Sequence, residues 1–297
     1  MDLVTIDTEA LYRRLLDTTD LAARDALYRG ELLAPFEGMF RIFGGGDPVA
    51  LAKGWTLYTP EDFADGARPA IADLMDRLAA ADAWGRTAAA LGRAVAAFAP
   101  HAERIRLGAI NAALVLSRGA PADPLDRGYT GFGGIPGYVL VVCSDANDYV
   151  LPRLDGAAAH ELHHNVRFSL FPFIPHTVTV GEYIVAEGLA EAFAAELFGE
   201  GVVGYYVTEF PEAELAAARR AVGAALDRTG FDTVRAYIFG DTIAARMGLP
   251  AAGVPNFAGY ALGYRAVRAY LRRTGASVVE ATFVPAAQII AESGFFA

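Results

Sequence analysis

The sequence predicts an α+β protein, mostly helical, with one small sheet ahead of a histidine-bearing helix. Three observations lead there. Apolar residues recur at helical spacing over most of the chain. Two short aliphatic runs, "RIRLGAINAALVLSRG" (104–119) and "GYVLVVCSD" (137–145), are bounded by Gly, Pro and Asp, as strands are. From residue 151 onward the spacing is mostly helical again, broken most clearly by "FPFIPH" (171–176), whose prolines stop the preceding helix.

Each element follows in order. Leu11, Leu15, Leu16, Leu21 and Leu27 predict a helix over 8–30 with a break near Thr18–Asp20. "FGGGDPVALAKGWTLYTP" reads as a Gly/Pro-rich connection, because its glycines lack the spacing and the following Lys-Ser/Thr of a phosphate loop. Helices are expected at 60–81 and 83–99; Thr59 is the N-cap, with Pro60 at the first helical position and Asp62 three residues on. The two strands come next, joined by the long connection "APADPLDRGYTGFGGIP", which reads equally as a functional edge and as a plain crossover. Helices are expected at 151–168, 180–199, 211–228, 255–273 and 285–293, with a shorter segment near 232–247. Residues 1–100 form an N-terminal helical region and 101–297 a second part with a cleft between 101–170 and 177–297, the whole making one compact unit.

Composition excludes several functions. With 297 residues, 54% hydrophobic and 20% charged, the chain can bury a sizeable core and is not of disordered composition. A net charge of −10 with no basic stripe argues against a nucleic-acid partner. The single cysteine, Cys143, permits no intrachain disulfide and lies in a strand-like run, where a packed thiol is expected. No Sec-type leader opens the chain and no apolar stretch reaches membrane-spanning length, so a soluble cytoplasmic protein without membrane contact is expected.

The chemistry concentrates in "DGAAAHELHHNVRF" (155–168), where residues 160–164 match H-E-x-x-H. Residues four apart on a helix share a face, so the imidazoles of His160 and His164 can converge on one ion. Zinc takes neutral imidazole nitrogens at about 2.0–2.1 Å. Glu161 points aside, where it can reach a water. The bland alternative is a surface helix with ordinary histidines. A catalytic zinc site wants a third protein ligand and an open position. His163 and His176 are two candidates, and a carboxylate on the next helix is the third. In "GEYIVAEGLAEAFAAELFG", Glu187 and Glu191 fall on one stripe with Ile184, Ala194 and Phe198. That helix is apolar all round and should be buried. Buried carboxylates are costly unless paired or metal-bound. A metal would account for both: Glu187 as third ligand, and Glu191 accepting from the far nitrogen of a ligand histidine. The alternative is pairing with Arg153 or Arg167. Glu182 and Glu196 read as surface acids.

"HELHH" followed by "EGLAE" resembles the gluzincin arrangement of zinc metallopeptidases. "AAAHELHHNVRF", "IVAEGLAEAFAAELFG" and "GYALGYRAV" together resemble the YjaZ-like bacterial family of predicted zinc-dependent proteases, over roughly residues 100–297. The resemblance implies a zincin-like (gluzincin) fold. It also implies Zn2+ held by His160, His164 and Glu187, with Glu161 as catalytic acid/base and a peptide or protein substrate. In similar enzymes a tyrosine or histidine from the C-terminal half stabilises the developing oxyanion, which nominates Tyr260 and Tyr264, then Tyr183 and His176. In similar enzymes, too, an edge strand preceding the zinc helix holds an extended peptide, a role that falls on "GYVLVV" by chain order. Two other functions stay open: a zinc hydrolase of non-peptide amides or esters, and a non-catalytic, metal-stabilised interaction protein.

Overall fold

Both aliphatic runs become strands and form the middle of a four-stranded sheet in the order β1-β2-β4-β3. The strands are β1 (Asp2–Thr5), β2 (Ala109–Leu116), β3 (Tyr129–Phe132) and β4 (Tyr138–Cys143). β1 and β4 flank β2 in parallel, and β3 runs antiparallel along β4. Val139 to Cys143 are all buried, as suits a central strand covered on both faces. The computed structural model describes residues 1–64, 66–120, 123 and 125–297. Residue 65 of the expected 60–81 helix and residues 121, 122 and 124 of the long connection lie outside the described residues.

The chain divides into two units, Met1–Asn165 and Val166–Ala297. The first carries the sheet and the helices α1 (Thr8–Asp17), α2 (Leu21–Leu27), α3 (Glu37–Ile42), α4 (Pro48–Gly54), α5 (Arg68–Ala80) and α6 (Ala83–Ala97), with α7 (Leu151–Leu170) running on past its end. The second is helical: α8 (Val180–Phe198), α9 (Tyr205–Thr208), α10 (Leu215–Gly223), α11 (Phe231–Phe239), α12 (Asp241–Arg246), α13 (Ala258–Thr274), α14 (Val278–Ala281) and α15 (Ala286–Ser293). The mostly helical, α+β, zincin-like class is the one expected. No helix among the described residues is long and apolar enough to cross a membrane.

The first helices stop where the sequence says they should. Asp7 and Asp20 cap α1 and α2, accepting from the N–H groups of Ala10 (3.0 Å) and Ala23 (2.8 Å), so the chain breaks between them. Thr59 does form a capping box with Asp62, but it caps a single 3-10 turn, Pro60–Phe63. The backbone turns extended at Ala64 (φ −81°, ψ 179°), and α5 starts at Arg68. Three expectations need correction. β1 and α4 arise in stretches without a legible period. The long glycine-rich connection contains β3. And "GYVLVV" is not an edge strand, because β4 is paired on both sides, by β2 and β3. Among the described residues the sheet edge on that side is β3.

In the second unit α8 is buried at every residue from Ile184 to Ala195. Thr179 and Glu182 form its capping box: Glu182 N–H donates to Thr179 Oγ1 (3.0 Å) and Thr179 N–H to Glu182 Oε2 (2.8 Å). Glu182 therefore stays at the exposed helix start, as expected of a surface acid. α8 packs against α13 through glycine. A methyl group at residue 188 would collide with the Gly263 carbonyl, and one at residue 263 with the carbonyl of Ile184. These two positions are glycine because the helix backbones touch there.

Candidate metal centre

α7 starts where Asn147 Oδ1 accepts from the N–H groups of Tyr149 and Val150, both at 2.9 Å. Pro152 follows within the first turn, where its missing donor costs nothing. Residues 158–168 are buried without exception, so the H-E-x-x-H turn is no surface helix. His163 is fully buried with its ring 6.1 Å from that of Phe98, and does not face solvent. His176 lies exposed in the link between α7 and α8.

His160 and His164 meet edge to face, with ring centroids 4.6 Å apart. One ligand atom each from His160, His164 and Glu187 lies within 4.8 Å of the others. All three residues are 6% exposed or less. Two imidazoles and a carboxylate, buried together, form a donor set that a divalent ion fits. The rival partners for the glutamates are engaged elsewhere. Arg167 donates to the carbonyls of Thr282 (2.7 Å) and Val284 (2.8 Å) and lies 3.8 Å over the Phe171 ring. Burial pulls its pKa down to about 10, which leaves it charged at neutral pH. Arg153 donates to the Tyr149 carbonyl (2.9 Å) and covers the Tyr149 ring at 3.9 Å. Burial also pushes the Cys143 thiol up to about 12, which marks it as the packed thiol expected and not a nucleophile.

Glu191 is 2% exposed. Its carboxylate accepts from Gly204 N–H (3.0 Å) and from the Tyr206 hydroxyl. Tyr206 was not singled out by sequence; only its place in the "GYY" turn after α8 distinguishes it. Its ring packs 4.6 Å from Tyr260, while the Tyr264 hydroxyl donates to Glu200 (2.6 Å), an acid also paired with Arg268 (3.0 Å). Burial first, and then that hydrogen bond to Glu200, hold the Tyr264 hydroxyl well above the ordinary tyrosine range. Tyr183 packs its ring 5.2 Å from Phe173.

Glu161 is 9% exposed and backed by β3. A methyl group at Gly131 would sit 2.5 Å from Glu161 Cγ and Oε1, and one at Gly133 would collide with the Glu161 carbonyl. The strand thus passes flush over the glutamate, and glycine at both positions permits it. Asn165, one residue beyond His164 and fully buried, fastens this approach. Its Nδ2 donates to the carbonyls of Gly133 and Tyr138, both at 2.8 Å, and its Oδ1 accepts from Gly137 N–H at 2.6 Å. Sequence reasoning passed over Asn165. The signal was present: an amide directly after the histidine pair needs hydrogen-bond partners once that turn of the helix is buried.

The buried H-E-x-x-H turn and the carboxylate of Glu187 together make up a group that could hold a metal ion, with a glycine of β3 against Glu161. A family model described as "Predicted Zn-dependent protease (DUF2268)" matches residues 83–291, and the chain belongs to that family. Among individual relatives, "Uncharacterized protein YjfC" of Bacillus subtilis (strain 168) is 46% identical over 179 residues, covering 59% of this chain and 60% of that protein. The chain therefore spans less than two thirds of that relative. No solved structure matches it.

Proposed function

We propose that the protein is a zinc metallopeptidase in which His160, His164 and Glu187 hold the ion and Glu161 moves the proton. The observation that carries this reading is the buried group of two imidazoles and a carboxylate within 4.8 Å, with Glu161 in the same motif. Zinc in such a site supplies Lewis-acid polarisation and makes water nucleophilic at neutral pH. Glu161 accepts the proton released when water attacks the scissile carbonyl, and returns it to the departing amine. Its burial beneath Gly131 restricts the directions from which solvent reaches it. Tyr260 and Tyr264 remain the tyrosines to test for the developing oxyanion; Tyr264 first has to leave Glu200.

The substrate is an extended peptide laid along β3. Gly128 accepts from Ser144 N–H (2.8 Å), so the antiparallel pairs that exchange hydrogen bonds are Gly128 with Ser144, Thr130 with Val142 and Phe132 with Leu140. Tyr129 and Gly131 accordingly turn their N–H and C=O away from β4. The peptide groups of Gly131 are thus offered to an added strand at the residue that covers Glu161.

The test is a defined peptide library with the wild type and Glu161→Gln. The wild type should cleave, and the variant should retain stoichiometric zinc without cleaving. Zinc without cleavage of any peptide by the wild type would favour a binding role; cleavage of small amides or esters alone would favour the non-peptide hydrolase.

A further inference from the structure

The face of β3 opposite Glu161 carries an aromatic cluster that the proposed chemistry does not use. Phe132 lies 5.6 Å from Trp55 and 5.5 Å from Phe43, and Phe43 meets Trp55 edge-on at 5.0 Å. Phe40, buried, closes the base at 6.1 Å from Trp55. The rim is open: Phe43 is 42% exposed and the neighbouring Ile42 65%. Scattered apolar residues on a surface need no explanation, but a contiguous set does. This one joins a strand whose outer edge has no strand partner among the described residues.

Strand geometry says what can reach it. Successive side chains alternate between faces, and residues directly across a strand pair share a face with Cβ atoms about 4.5–5.5 Å apart. In a peptide added to β3, the residue across from Gly131 faces Glu161. Its neighbour, across from Phe132, faces the other way, onto Phe132, Trp55 and Phe43. The scissile region and the aromatic cluster are therefore addressed by adjacent residues of one extended chain.

We infer that Phe43, Trp55 and Phe132 form a specificity subsite for an aromatic or large aliphatic side chain of the peptide, next to the residue that faces Glu161. This rests on the peptidase reading and on β3 as the peptide-binding edge. It sets one sequence requirement: an apolar residue at a fixed position within two residues of the cleaved bond. The surrounding positions carry no comparable demand from this strand.

Two measurements test it. The first is the cleavage profile of a randomised peptide library. The wild type should select Phe, Tyr, Trp or Leu at one such position. Phe43→Ala, a change at the exposed rim, and Trp55→Ala should each reduce that selection about 10-fold in kcat/KM, the scale of a lost aromatic contact. Peptides with alanine at that position should be cleaved as by the wild type. The second needs no turnover. In Glu161→Gln, binding of a peptide with phenylalanine at the selected position should change tryptophan fluorescence. The same change should be absent in Glu161→Gln/Trp55→Phe, where Trp84 is the remaining tryptophan. Cleavage without apolar selection, or selection untouched in both alanine variants, overturns the subsite and leaves the peptidase reading standing. Absence of both binding and cleavage for every peptide overturns both. Self-association of the chain that Phe43→Ala abolishes, with no peptide effect on fluorescence, assigns the patch to a second copy and overturns the subsite.

Discussion

α7 and α8 each bring buried, ionisable side chains to the same group, but they are held in different ways. α7 is tied by polar contacts: Asn165 places four of its neighbours' backbone atoms by hydrogen bonds, the strand-facing carbonyls and an N–H among them. α8 is held by close apolar packing, with Gly188 and Gly263 letting α8 and α13 touch. The difference teaches that a site residue can be recognised by its motif or by its cost. The α7 histidines announce themselves by spacing. Glu187 is conspicuous only because a carboxylate on a helix buried at every residue from Ile184 to Ala195 is expensive unless something compensates it.

That contrast can be broken at four points. The largest effect belongs to Glu161→Gln. It should lower the rate constant for peptide cleavage about 10²–10⁴-fold, the usual worth of a general acid–base, while metal content and thermal stability stay near wild type. Next comes Asn165→Ala, which leaves the Gly133 and Tyr138 carbonyls and the Gly137 N–H without this partner. A loss of about 3 kcal/mol in denaturant unfolding is expected. A cost within experimental error would show that the polar fastening of α7 is dispensable.

Gly263→Ala probes the other side. An added methyl group meets the Ile184 backbone, which cannot yield as a side chain can, and overpacking of this kind costs about 1–3 kcal/mol. Thermal unfolding would register it, and an unchanged midpoint would mean the helices separate without penalty. The smallest effect is electrostatic. Burial raises the Asp62 carboxyl, but hydrogen bonds from the Thr59 N–H, the Thr59 hydroxyl and Arg118 (2.6 Å) together outweigh it and hold its pKa below the ordinary value. A carboxyl lowered in the folded state stabilises above its unfolded pKa of about 3.9 and loses that contribution as pH falls toward the folded value. Asp62→Asn should therefore flatten the acid side of the stability curve below about pH 4, and leave the curve at neutral pH parallel to that of the wild type. A wild-type slope in the variant would assign acid lability to other groups.

Much of the fold was legible because it rests on local pattern. The breaks at Thr18–Asp20 and 171–176, the two central strands and the two site helices all follow from periodicity, capping residues and proline. What escaped has non-local causes. β1 is four residues with an exposed pattern, and it exists because β2 accepts it in parallel. β3 hides in a glycine-rich connection because Gly131 within it and Gly133 just beyond it answer to Glu161 and not to strand propensity. Assigning the edge to "GYVLVV" followed from not seeing β3. Within the site, His160, His164 and Glu187 are brought together as their spacing and burial suggest, whereas Asn165 and Tyr206 act on partners far away in sequence.

The most direct measurement is metal stoichiometry on protein purified without chelators, for the wild type, His160→Ala and Glu187→Ala, with folding checked by circular dichroism. One zinc per wild-type chain and none in either folded variant is the expected result. Free zinc at about 1,000 times its dissociation constant should then raise wild-type stability by roughly 4 kcal/mol and leave the variants unmoved. Folded wild type without stoichiometric metal, or Glu187→Ala binding zinc as tightly as the wild type, would contradict the account.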